Sequence, residues 1–300
     1  MYVSALLRYP VKSGRGESVT EVSITPEGLE GDRRFMVARA DGSYLTQREI
    51  PQLATLEARM IADRSRSRDA RQLELKFPTR SINITVRTEG APFAATLFGD
   101  RVSLIDQGPE VAAWLSAYLP VTEGPFSQLQ RAVFGAPYRL LHAPDATTAR
   151  SPRIRRPPPP LRGGAGLSDL APLLLICEES LQELNARRAL EGRDTVPMSR
   201  FRPNIVLSGC GKPHAEDSWT RLTIGSSAEF RITGPCPRCT VPEVGQQSGV
   251  RDAPGSGPMS TLRGYRSRAG AGVIFGVYLT PLNPAGARIR VGEQALVEAQ

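Results

Sequence analysis

Gly234-Pro235-Cys236-Pro237-Arg238-Cys239-Thr240-Val241-Pro242 is the stretch on which the reading of this chain turns. Its prolines fix φ and remove amide donors, which excludes a helix and predicts a stiff loop. The preceding run Ala228-Glu229-Phe230-Arg231-Ile232-Thr233 reads as a strand. Two thiols are therefore expected at a strand end with a guanidinium between them. A thiolate beside a fixed positive charge is a good nucleophile and a good soft-metal ligand.

Three uses of these thiols compete. Cys210-x3-His214 with Cys236-x2-Cys239 has the spacing of a structural Cys3His zinc set. Cys-Pro-Arg-Cys also has the redox Cys-x-x-Cys form, although Pro242 follows too soon for the helix that normally comes after the first cysteine. The third use is one thiolate on a metal cofactor whose anionic tail is held by Lys12, Arg33 and Arg202. Composition alone ranks zinc first.

Outward from the loop, short strands alternate with turn signals over 2–8, 19–24, 35–39, 53–61, 72–77, 82–86, 93–98 and 101–105. Val111, Trp114, Leu115, Tyr118 and Leu119 then share a helical face. A strand follows over 134–142. Arg150 to Gly164, with four consecutive prolines, reads as an extended or mobile surface loop. Leu173-Leu174-Leu175-Ile176 is a buried strand, and a helix over 178–190 turns Leu181, Leu184 and Leu190 inward. Residues 245–258 read as a flexible flap beside the thiols. Strands over 273–279 and 287–293 close the chain. The fold class is mainly β, of the α+β kind.

At 300 residues the chain has room for two domains, and its 40% hydrophobic and 23% charged content is ordinary for a globular protein. No apolar run approaches the ~20 residues of a membrane span. The first ten residues lack the pattern of a signal peptide, so the expected location is the cytoplasm. The four cysteines do not form a disulfide framework. The net charge of +8 is carried by arginine, with Lys12, Lys76 and Lys212 the only lysines. The arginines are scattered without aromatic interleaving, which argues against nucleic acid.

Six segments in order complete the reading: Tyr9-Pro10-Val11-Lys12-Ser13, Gly31-Asp32-Arg33, Phe201-Arg202-Pro203-Asn204-Ile205-Val206, Asp217-Ser218-Trp219, Cys236-Pro237-Arg238-Cys239-Thr240 and Phe275-Gly276-Val277-Tyr278. Together they resemble the MOSC-domain proteins that carry a MOSC N-terminal β-barrel domain, the amidoxime-reducing components and their bacterial relatives. The resemblance spans nearly the whole chain. It implies an N-terminal domain over 1–125 and a MOSC domain over 126–300, a β-barrel with a few packed helices.

The resemblance further implies the molybdenum cofactor, a molybdopterin. Cys239 is the metal ligand it points to. Lys12, Ser13 and Arg33 fall on the pterin or its phosphate, Arg202, Asn204, Pro237 and Arg238 line the cofactor, and Tyr278 lies near it. Ser168 and Asp169 touch it, and Asp169 is the candidate catalytic acid. The implied activity is reduction of small N-oxygenated substrates, with electrons from a separate ferredoxin, flavoprotein or cytochrome. Pyridoxal phosphate binding comes with the family description alone and is assigned to no residue. The alternative is a non-catalytic cofactor or persulfide carrier using Cys236 and Cys239. Leu170-Ala171 stands where relatives offer a hydroxyl, which is one departure from the pattern.

Overall fold

A computed structural model describes residues 1–62, 71–120, 137–144 and 166–299. The Arg/Pro-rich loop over 150–164 and the start of the strand expected over 134–142 lie outside these residues.

The largest sheet has nine strands. Seven of them organise the site: β1 (Tyr2–Arg8), β2 (Leu173–Cys177), β3 (Ile205–Ser208), β4 (Trp219–Ile224), β5 (Ala228–Pro237), β6 (Gly272–Pro281) and β7 (Ala295–Ala299). Their order across the sheet is β7-β4-β5-β6-β2-β3-β1. The first strand of the chain thus closes onto strands formed two hundred residues later, with Leu6 opposite Ile205. At its centre β2 runs parallel to β3 and antiparallel to β6. Every residue of β2 is buried. A strand covered on both faces needs no polar alternation, which is why its sequence is an unbroken apolar run.

A second sheet of five strands orders Pro92–Leu97, Asp100–Asp106, Tyr138–His142, Phe35–Arg39 and Val11–Lys12. Helix α1 (Pro109–Tyr118) packs on the N-terminal region, burying Val111, Ala112 and Leu115. Trp114 and Tyr118 stack on Phe77 with ring centroids 5.0 and 3.9 Å away. Helices α2 (Glu178–Leu190) and α3 (Pro258–Tyr265) lie against the large sheet. The molecule is mainly β, as the strand spacing predicts.

Several expectations are corrected. The strand from Ala228 does not stop before the prolines but continues to Pro237. Its pairing with β6 shifts register between Ile232 and Gly234 and again between Pro235 and Pro237. Irregular pairing of this kind lets a strand carry residues that lack an amide donor. The strand expected over 53–61 begins only at Glu57; its first residues belong to a 3-10 turn over Pro51–Thr55 with proline in its first turn. Leu190, expected to face inward, is 90% exposed. Arg188 takes the buried position instead, its Nε donating to the Asp194 carbonyl at 2.7 Å.

Candidate functional site

The two sheets meet at a cleft of about 750 Å³ measured to its open mouth. The parallel pair Val11–Lys12 and Phe35–Arg39 brings Lys12 and Ser13 to one wall. The end of β5 and the middle of β6 bring Cys236, Pro237 and Tyr278 to the other, and Arg238 and Cys239 continue beyond β5. Asp169, Leu173 and Arg202 complete it. Ser13, Arg33 and Arg202 line this cleft and all have left-handed backbone, with φ of 64, 47 and 56°. Non-glycine residues in that region are uncommon and cluster where function constrains the chain.

Five basic side chains line the cleft, Lys12, Arg33, Arg48, Arg202 and Arg238, against a single acid, Asp169. Arg202 is buried; its Nη1 donates to the Gly14 carbonyl at 2.6 Å and its guanidinium lies 4.2 Å from the Tyr9 ring centroid. Burial lowers its pKa to about 10, which leaves it charged at neutral pH. Arg238 donates from Nη2 to the Phe201 carbonyl at 2.8 Å, while its Nε is buried without a hydrogen-bond partner among the described residues. The Arg33 guanidinium has Asp32 at 3.8 Å.

Lys12 is buried and ion-paired to Asp169, and its Nζ also donates to the Leu167 carbonyl at 3.0 Å. Partial desolvation would raise the half-exposed Asp169 carboxyl, but Lys12 and then Arg33 outweigh it and hold the pKa at about 2. Lys12 and Arg33 thus favour the Asp169 carboxylate, which runs against the role of catalytic acid expected for it. A depressed carboxyl contributes stability above its unfolded pKa of about 3.9 and loses it as pH falls through about 2. Thermal unfolding should lose this component between about pH 4 and pH 2 in the wild type and not in Asp169→Asn. Solvent screening keeps it to about 1 kcal/mol or less.

The two cysteines of the central loop are not equivalent. Cys239 is exposed, whereas Cys236 is 3% exposed and packed with Phe201 and Phe275. Arg238 Nη1 donates to the Cys236 sulfur at 3.1 Å. Burial works against the charge of Arg48 and Arg238, while Cys239 supports it at Arg48 and Cys236, then Cys239, support it at Arg238. The Cys3His zinc set is not assembled. Among the described residues the only group of three metal-ligating atoms within 4.8 Å of one another is Cys177, Glu179 and Cys210. His214 instead sits between Tyr265 and Phe275 with Glu183 at 3.2 Å.

Residues 1–122 match the family model of the MOSC N-terminal beta barrel domain, and residues 163–295 match that of the MOSC domain. The mitochondrial amidoxime-reducing component 1 of Mus musculus is 31% identical over 99% of this chain and 82% of its own. The chain belongs to the MOSC-domain family. The human amidoxime-reducing component 1 is 30% identical over 99% of this MOSC chain and 83% of its own. The molybdenum cofactor sulfurase of Solanum lycopersicum is 30% identical over 98% of this chain but only 35% of its own length.

Nine of the site residues expected from sequence line the cleft of this MOSC protein: Lys12, Ser13, Arg33, Asp169, Arg202, Pro237, Arg238, Cys239 and Tyr278. Two do not. Asn204 is fully buried, its Oδ1 accepting from the Leu174 amide at 3.2 Å and its Nδ2 donating to the Leu7 carbonyl at 3.3 Å. It ties β1 and β2 to the entrance of β3. Ser168 is buried with its Oγ directed to the Pro172 carbonyl at 3.5 Å. Thr46 and Arg48 line the cleft without having been singled out. Arg48 is one arginine among many, and only the tertiary fold distinguishes it.

The segment expected as a flexible flap is anchored at its start. Buried Gln246 exchanges hydrogen bonds with buried Gln47 at 2.8 and 3.1 Å, and its Oε1 accepts from Arg202 at 3.0 Å. Arg251 donates to the Gln47 and Arg48 carbonyls. Gln246→Ala leaves Gln47 and Arg202 short of buried partners, and it is expected to cost about 1–3 kcal/mol in chemical denaturation.

Proposed function

We propose that the cleft binds the molybdenum cofactor with Cys239 as a metal ligand, and that the protein reduces small N-oxygenated compounds. The observation that carries this reading is an exposed thiol lining the same cleft as five basic side chains. The donor set fits the group: a thiolate for a soft metal, a fork of guanidinium donors for a phosphate, and an unpartnered buried Nε on Arg238. Lys12 and Arg33 hold the anionic part, Arg202 and Arg238 the wall beside it, and Cys239 the metal. When bound, the cofactor supplies the two-electron, oxygen-accepting chemistry.

The chain's own residues bind and orient. The Lys12–Asp169 ion pair keeps a carboxylate at the mouth, where it sets the local charge. Arg48 and Arg238 line the cleft with Cys239 and supply positive charge around it. Tyr278 is kept protonated, first by burial and then by Cys236, so it remains a hydrogen-bond donor. Electrons come from a separate carrier protein, and the proposed location is the cytoplasm; no helix among the described residues is long and apolar enough to cross a membrane.

The experiment is reduction of an N-hydroxylated amidine by cofactor-loaded protein supplied with a reduced viologen dye. Steady product formation is expected. The second reading, a sulfur carrier, draws on the similarity to the sulfurase. It predicts no turnover in this assay, together with transferable sulfane sulfur on Cys236 or Cys239 that is lost in Cys236→Ser.

A further inference from the structure

Strands β2 and β3 run parallel and end side by side, with Cys177 opposite Leu207. Cys177 closes β2 and precedes α2. Cys210 follows β3 in a turn bounded by Gly209 and Gly211, whose φ angles of 77 and 83° are open to glycine. The two sulfurs and a Glu179 carboxylate oxygen all lie within 4.8 Å of one another. The Cys210 amide donates to Glu179 Oε1 at 2.8 Å and fixes the carboxylate beside the thiols. Glu179 Oε2 is buried and has no hydrogen-bond partner among the described residues.

A second carboxylate stands behind this group. Glu216 is fully buried and accepts from Ser180 Oγ at 2.8 and 3.0 Å and from the Cys177 amide at 3.3 Å. Among the described residues neither Glu179 nor Glu216 is ion-paired to a basic side chain. Buried Glu179 Oε2 thus stands unpartnered beside two sulfurs, and a set of two sulfur donors and one carboxylate oxygen suits a divalent cation.

We propose that Cys177, Cys210 and Glu179 form a binding site for a divalent metal ion of the zinc class, separate from the cleft. Binding forms two metal–thiolate bonds and one metal–carboxylate bond, and the two thiol protons leave to solvent. A tetrahedral ion with metal–sulfur bonds of about 2.3 Å separates two sulfurs by about 3.8 Å. The observed spacing thus needs closure of about 1 Å at most. Cys210 and Glu179 are only partly buried, so the group is within reach of solvent. Leu174, three residues before Cys177 on β2, lines the cleft, so at about 3.3 Å per residue about 10 Å of strand separates Cys177 from the cleft. The ion would clamp the ends of β2 and β3 to the start of α2.

The test is titration of the full chain, reduced and carrying Cys239→Ser to remove the exposed thiol, with Co²⁺ alone and with Zn²⁺ in competition. One equivalent of Co²⁺ with a thiolate-to-cobalt charge-transfer band is expected. The band should be lost in Cys210→Ser, weakened at least tenfold in affinity in Glu179→Gln, and retained in Cys236→Ala. Circular dichroism checks that each variant is folded. A folded, reduced protein without the band overturns the proposal, as does a band that survives Cys210→Ser. So does a Cys177–Cys210 disulfide whose reduction restores no metal uptake. None of these outcomes depends on whether the cleft holds molybdenum.

Discussion

Cys239→Ser is expected to lower N-hydroxy reduction by more than about 100-fold, because partners of metal ligands alone are worth 10- to 100-fold and the ligand itself more. Cys236→Ser should stay within a few-fold of wild type. The contrast comes from where the two sulfurs lie. Cys239 is exposed at the cleft, whereas Cys236 is packed among aromatic side chains and accepts a hydrogen bond from Arg238 at 3.1 Å. A serine hydroxyl at 236 can accept the same bond, so the Arg238 wall persists. Initial rates of amidine formation at saturating dye measure both variants. Equal losses in the two would mean the thiols act as a pair and would favour the carrier reading.

Gly276→Ala is expected to be the most destabilising single methyl addition near the site, at about 2–5 kcal/mol. Gly276 has φ of 76°, where an L side chain is strained. Its added Cβ would lie 2.6 Å from the Leu175 carbonyl oxygen and 2.6 Å from Ile176 Cγ1. The Ile176 side chain can shift, but the carbonyl belongs to the fully buried strand β2 and cannot. Left-handed strain of about 1–2 kcal/mol and overpacking of about 1–3 kcal/mol give the range. Tyr278, two residues on, lines the cleft, so metal loading should fall with stability. Chemical denaturation of the purified protein checks this; a wild-type midpoint would contradict the packing described.

Much of the fold was legible because it rests on local chemistry. The apolar run of β2 required burial on both faces. The site was legible through its ordered segments, which brought nine expected residues to one cleft. What escaped the sequence was decided by distant contacts. Prolines at 235 and 237 argue for a loop on propensity, yet pairing with β6 keeps them in a strand. Glycine and proline content over 245–258 suggests a flap, yet Gln246 is held by hydrogen bonds to Gln47 and Arg202 that lie far away in the chain. The pairing of Cys177 with Cys210, not Cys236 with Cys210, follows from two parallel strands ending together, which spacing does not encode.

The central claim is that Cys239 holds molybdenum in this cleft. The measurement that tests it most directly is molybdenum per chain, by inductively coupled plasma mass spectrometry, in wild type and Cys239→Ser purified from cells that make the cofactor. The account predicts close to one molybdenum in the wild type and a large loss in the variant, with zinc at the cleft in neither. Equal molybdenum in the two proteins, or none in the wild type, would contradict it.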